Sequence, residues 1–129
     1  MPLLNDIGEK LEDESIGTVG TNIFLGYMPD SPDICIGLFI YAGAPPDEVS
    51  EDVEYPGLQV RVRGAAAGFE DALEKAYDIF NALHGLTDTT LTATYYYRIS
   101  ANQSPAQMGV DEKDRPEFVI NFSVMKEVE

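Results

Sequence analysis

The sequence has few of the residues that build catalytic and redox sites. Among its 129 residues it has one cysteine, Cys35, one histidine, His84, and no tryptophan. A single cysteine excludes an internal disulfide, and its place in an apolar run favours a small buried side chain. His84 ends a predicted helix, where the helix dipole favours it without any catalytic role. Phosphate-loop, dinucleotide-binding and zinc-protease motifs are also missing. The sequence therefore predicts a protein that is not an enzyme and that binds no cofactor and no metal.

Positive charge is also scarce, with eight lysines and arginines against 23 acidic residues and a net charge of −15. Such a surface repels nucleic acid and anionic membranes, which disfavours a role in gripping DNA or RNA. Asp111, Glu112 and Asp114 could in principle bind a divalent cation. Because Lys113 and Arg115 alternate with them, solvated loop charge is the better interpretation.

Long apolar runs are missing as well. A membrane-spanning helix needs about 20 apolar residues, and no stretch approaches that length. The acidic start, residues 1–14, lacks the basic-then-apolar order of a signal peptide. Hydrophobic residues nevertheless make up 44% of the chain. This composition and length predict one globular domain over residues 1–129.

The strongest pattern runs from residue 55 to residue 85. Apolar and polar residues alternate over 58–63, which predicts a strand, and an amphipathic helix follows from Phe69 to Leu83. A short helix is expected at the N-terminus, over 2–13. The other predicted strands are 22–28, interrupted at Gly26, and 34–42, 91–100 and 117–125. Residues 87–90 are expected to form a turn, and residues 43–54 and 101–115 are expected to form two long polar loops. The sequence thus predicts an α+β fold, a mostly antiparallel sheet of about five strands packed against one main helix, with an additional N-terminal helix, in the order α-β-β-β-α-β-β.

Two of the few basic residues lie two apart on one predicted strand. Arg61 and Arg63 therefore point the same way, together with Gln59. They either pair with acids of the same chain or meet an acidic loop of a neighbouring subunit, where complementary charge would set register. The acids of the 43–54 loop that would serve as the counterpart are Asp47, Glu48, Glu51 and Asp52. Tyr96, on the opposite strand face from Tyr95 and Tyr97, is a further candidate interface residue. Base stacking is the competing role for Tyr96, and the net charge disfavours it.

The pattern over residues 55–122 resembles a known family. It comprises Tyr55-Pro-Gly-Leu-Gln-Val-Arg-Val-Arg-Gly64, the helix ending in Leu83-His-Gly85, Tyr97-Arg-Ile99, Met108-Gly109, Asp111-Glu112, Arg115-Pro-Glu-Phe118 and Val119-Ile-Asn-Phe122. These residues resemble the minor capsid proteins of the tail-terminator type in long-tailed phages and prophages.

That resemblance implies a non-enzymatic structural protein of the virion, assembled in the bacterial host cytoplasm. Its subunits would form a ring, typically a hexamer, at the head-proximal end of the tail tube. The ring would stop tube polymerisation and contact both the tube protein and a head completion protein, with DNA passing through its lumen. The family has no catalytic residues. The alternatives are a head–tail connector adaptor or, from another class, a small acidic inhibitor or immunity-type protein that binds a basic partner.

Overall fold

The computed structural model describes residues 2–46 and 51–128. Within these ranges the chain forms two helices, α1 (Pro2–Asp13) and α2 (Phe69–Leu83). The strands are β1 (Ile23–Leu25), β2 (Cys35–Tyr41), β3 (Val53–Glu54), β4 (Gly57–Arg63), β5 (Leu86–Leu91), β6 (Thr94–Ala101), β7 (Ala106–Val110) and β8 (Pro116–Glu127). In the described ranges, neither helix has both the length and the apolar character needed to cross a bilayer.

All the strands join one mixed sheet with the order β1-β2-β4-β8-β6-β5. Its neighbours are antiparallel except for β1 and β2, which run parallel. β8 is the central strand of the sheet, because it pairs with β4 and β3 along one side and with β6 and β7 along the other. Alternate residues of β8 point into the core, which gives this strand the period-2 pattern of a sheet with one dry face.

Both helices contribute to one core with the inner face of the sheet. α2 contacts β4, β8 and β6, and its small Ala72 and Ala76 let the helix approach the strands closely. α1 contacts β1 and β2 at one end of the strand order and β5 at the other. The sheet is therefore curved enough for its two ends to reach the same helix. Leu3, Ile7 and Leu11 of α1 are fully buried in this position.

The predicted α+β class is confirmed, whereas the predicted strand number and element order are wrong. Three strands, β3, β5 and β7, lie in segments expected to be loops or turns. The segment 87–90 is part of β5, and the hairpin turn falls at Thr92, whose φ of +58° gives the local reversal. The predicted strand 22–28 is limited to β1, because the next residue, Gly26, has a φ of +86°.

Candidate assembly surface

The outer face of the sheet, opposite the helices, carries a polar cluster built across three strands. The register places Phe39 of β2 beside Gln59 of β4, and Gln59 beside Asn121 of β8. Arg61 Nε donates to Gln59 Oε1 at 2.8 Å, and Gln59 Nε2 donates to Asn121 Oδ1 at 3.0 Å. The Arg61 guanidinium carbon lies 5.0 Å from the centroid of the Phe39 ring. This cation–π contact and the hydrogen bond hold the cation in one place on the surface.

Arg61 has no ion-pair partner within residues 2–46 and 51–128. That is unusual in a chain with 23 acidic residues. Arg61 was expected to pair either with acids of its own chain or with an acidic loop of a neighbouring subunit. The described part of the chain does not show the first of these two pairings. Arg61 remains a positioned and half-buried cation whose charge is not neutralised by a described carboxylate.

Arg63 does not share this exposed position, and the expectation that it does is wrong. Only 5% of the residue is exposed. Its Nε donates to the carbonyl oxygen of Asp33 at 2.8 Å, and its Nη2 donates to those of Pro29 and Pro32 at 2.6 and 2.7 Å. The physical reason is that the segment 29–33 folds over this end of β4 and turns its carbonyl groups toward the guanidinium. Arg63 is therefore a structural anchor and not a surface cation.

Arg115 holds the same segment from the other side through acidic side chains. It forms ion pairs with Asp111 at 2.8 Å and with Asp30 and Asp33 at 3.0 Å each. The Arg115 hydrogen bond lowers the pKa of Asp111 to about 2. Lys113 and then Arg115 lower the pKa of Asp30. Asp111 is thus an anchor and not simply solvated charge. The described part of the chain contains no group of three or more metal-ligating side chains.

Tyr96 lies in the core, so its proposed place on an exposed strand face is wrong. Its side chain is fully buried, and its hydroxyl donates to Asp6 Oδ2 at 2.7 Å. The pairing of β6 with β8 shifts register between Tyr96 and Arg98. This irregularity breaks the simple alternation of faces along β6, with the result that Tyr96 and Ile99 are both buried.

The acidic loop is anchored where it enters β3. Glu51 and Asp52 are exposed, while Asp47 and Glu48 lie outside the described residues. Lys126, which is fully buried, donates from Nζ to Glu54 Oε1 at 2.7 Å. Glu54 pairs with Lys126, and Arg61 pairs with Val119, seven residues earlier on β8. At about 3.3 Å per residue, β3 and Arg61 are about 23 Å apart along the strand, so they do not meet within one subunit.

Sequence reasoning missed Phe39 and Asn121 of this surface, and it also missed the buried Lys126 that anchors the acidic loop through Glu54. Phe39 and Asn121 join Gln59 through the register of strands that are distant in sequence, and no local pattern reports that register. Lys126 had a usable signal, since it continues the alternation of Phe122 and Val124 and is therefore expected to point inward.

Cys35 and His84 serve separate structural roles. Burial raises the pKa of the Cys35 thiol, which disfavours the reactive thiolate. His84 stacks on Phe80 with ring centroids 5.0 Å apart, and its Nδ1 accepts the backbone N–H of Ala101 at 2.9 Å. Each side chain therefore has a packing or hydrogen-bonding function, in agreement with the sequence interpretation.

Comparison with known proteins decides the family. Residues 10–128 match the model of the bacteriophage tail terminator protein family. The chain belongs to this family. A chain in the virion of a native gene transfer agent particle has the same fold, with a TM-score of 0.69 and 18% identity. That likeness covers 98% of this chain and 95% of the other. No curated protein sequence shows a significant match. The tail terminator family assignment confirms the resemblance read from the sequence and places the chain among phage structural proteins.

Proposed function

We propose that this protein is a non-enzymatic tail terminator, which forms a ring at the head-proximal end of the tail tube. The ring stops tube polymerisation and joins the tail to the head through contacts with the tube protein and a head completion protein. Subunits are made in the host cytoplasm and become part of the virion neck. We propose that six subunits form the ring. The observation that carries this proposal is the family match over residues 10–128.

A ring with head-to-tail contacts needs two different complementary patches on each subunit. Arg61, fixed by Gln59 and Phe39, supplies a positioned cation. The acidic loop 47–54 supplies the opposite charge, with Glu51 exposed on its described part. Because the anchored end of this loop is about 23 Å from Arg61 along β8, the two patches suit contacts between subunits better than contacts within one.

The excess of negative charge suits a protein that surrounds DNA without holding it. A ring lumen lined with few cations makes few contacts with DNA phosphates and releases few counterions. It therefore contributes little free energy to DNA binding. With a net charge of −15, the subunit is of this kind. DNA then moves through the ring as cargo, and the ring binds its neighbours through protein contacts.

Tails assembled without this protein are expected to have overlong tubes. Without a bound terminator, tube protein subunits continue to add at the head-proximal end, so the tube grows past its normal length. Electron microscopy of tails from a phage or prophage lacking the gene, with and without the gene supplied in trans, measures this length. Tubes of normal and uniform length in the deletion strain would rule out termination as the function.

Arg61→Glu is expected to raise the protein concentration needed for ring assembly by about tenfold or more, because like charges then face each other at each contact. Arg98→Glu, the same change on an exposed arginine of β6, is the matched control and is expected to assemble normally. Mass measurement across a concentration series gives the assembly state. Adding Glu51→Lys to Arg61→Glu is expected to restore part of the assembly, and a variant that assembles like the wild type would refute the pairing.

A further inference from the structure

A second surface lies on the other side of the molecule, along the exposed side of α2, and carries aromatic and apolar side chains. Phe69, Leu73, Tyr77 and Phe80 lie along one side of α2, beside the residues that face the core. The ring of Phe69 packs on Phe118 at a centroid distance of 5.3 Å, and Tyr77 packs on Phe80 at 6.1 Å. Phe69 and Tyr77 nevertheless stay 38% and 41% exposed.

β7 carries a further exposed apolar residue on the same face of the sheet. Its residue Val110 pairs with Pro116 of β8, and paired residues of antiparallel strands lie on the same face. Pro116 and Phe118 both point inward, so Val110 lies on the face that carries α2. Val110 is 60% exposed. Within the described ranges, β7 pairs with β8 alone, so its outer edge is open. We call Phe69, Leu73, Tyr77, Phe80 and Val110 the α2–β7 patch.

A row of acids runs beside the patch. Glu70, Glu74 and Asp78 are exposed and each follows an aromatic or apolar residue of the patch by one position. They repeat at intervals of four, so they lie along one line of the helix surface. In the part of the chain that the structure describes, none of the three takes part in an ion pair. The patch therefore presents apolar surface with uncompensated negative charge along its border.

A second copy of the chain offers little charge to match this border. The chain has eight basic residues. Three of them, Arg63, Arg115 and Lys126, are buried. Three others contact the chain itself, namely Lys10 with Glu14, Lys113 with Asp30, and Lys75 with the Ile16 carbonyl. Arg98 and Arg61 remain, and Arg61 belongs to the proposed ring contact. Charge complementarity thus favours a different and more basic polypeptide.

We propose that the α2–β7 patch binds an extended segment of a second virion protein, one that combines apolar side chains with lysine or arginine. The apolar side chains cover Phe69, Tyr77 and Val110, and the cations pair with the acidic row. This proposal rests on the terminator function, which places the ring against a tube protein and a head protein. It assigns the axial contact to a surface different from the one that joins neighbouring subunits.

Co-sedimentation with two purified particles tests the proposal, namely tail tubes and DNA-filled heads, both made without this protein. The wild-type protein is expected to bind at least one of them, and less tightly as salt is raised, since the contact is partly ionic. Tyr77→Ser with Val110→Ser, and separately Glu74→Lys, are each expected to weaken binding to the same particle by about tenfold. The variants should still unfold cooperatively and form rings of wild-type mass, although Tyr77→Ser is expected to lower the melting temperature slightly because Tyr77 packs on Phe80.

Asp13→Lys is the matched control, since it reverses the charge of another exposed helix acid, on α1, which lines the groove between α1 and β5 and is not part of the patch or of the acidic row. It should bind like the wild type. Patch variants that bind both particles normally would overturn the proposal. Patch variants that fold but no longer form rings would show that a second copy occupies the patch, which also overturns it. If the wild-type protein binds neither particle, the terminator function itself fails, and that result differs from a defect confined to the variants.

Discussion

Arg63→Met is expected to lower the free energy of unfolding by about 3 kcal/mol, whereas Arg61→Met should lower it by about 1 kcal/mol or less. Hydrogen bonds from a charged donor contribute about 1.5–3 kcal/mol each. Arg63 makes several of them to carbonyl groups of the segment 29–33. The total loss is smaller than their sum, because this segment is largely exposed and can move to bind water. Arg61 loses a cation–π contact and one hydrogen bond at a half-exposed site.

Urea denaturation of the two variants and the wild type measures the difference. Arg63→Lys should not restore stability, because a compact ammonium with three donors cannot reach carbonyls that surround a planar guanidinium. Hydrogen exchange of residues 29–33 should rise in both Arg63 variants and stay unchanged in Arg61→Met. Equal stability of Arg63→Met and Arg61→Met would contradict the anchoring role. The same reasoning makes Arg63→Glu unsuitable as a test of ring contacts, since any loss of assembly would follow from a damaged fold.

The elements that could be predicted are those in which buried apolar residues recur at the spacing of a helix or a strand. The helix at Phe69–Leu83 and the strand that ends at Arg63 follow their expected ranges closely, because each buries one face against the same core. β5 and β7 lacked such a signal. β5 is rich in threonine at a sheet end that is partly covered by α1, and β7 is an open edge with a register shift near Gly109. In both strands, pairing with a neighbour outweighs a weak local pattern.

The candidate site was predictable in its residue types and not in its geometry. Arg61 and Arg63 are both arginines on the same strand face, so the local sequence pattern gives the same prediction for both. What separates them is the segment 29–33, which covers one and leaves the other. Phe39 and Asn121 reach Gln59 through pairings between β2, β4 and β8. Such long-range information is set by the whole sheet, so a single strand cannot report it.

Tyr96→Phe is expected to lower the free energy of unfolding by about 2 kcal/mol without changing the ring mass of the folded protein. The substitution keeps the aromatic ring in the core and removes the hydroxyl that donates to Asp6 at 2.7 Å. Asp6 is 3% exposed, so its carboxylate loses a donor that water does not readily replace. Leaving a buried polar group unsatisfied costs about 1–3 kcal/mol, and more when the group is charged.

A double-mutant cycle separates this hydrogen bond from general packing effects. Asp6→Asn keeps the shape of the side chain and removes its charge, so it should recover about 1 kcal/mol in the Tyr96→Phe background. In the wild-type background the same change should not stabilise the protein, because Tyr96 already supplies the donor. Thermal or urea unfolding gives the four stabilities of the cycle. If Tyr96→Phe is as stable as the wild type but cannot form rings, the Tyr96 hydroxyl acts in a subunit contact and not in the core. That result would contradict the role assigned to Tyr96 from its complete burial in the single chain.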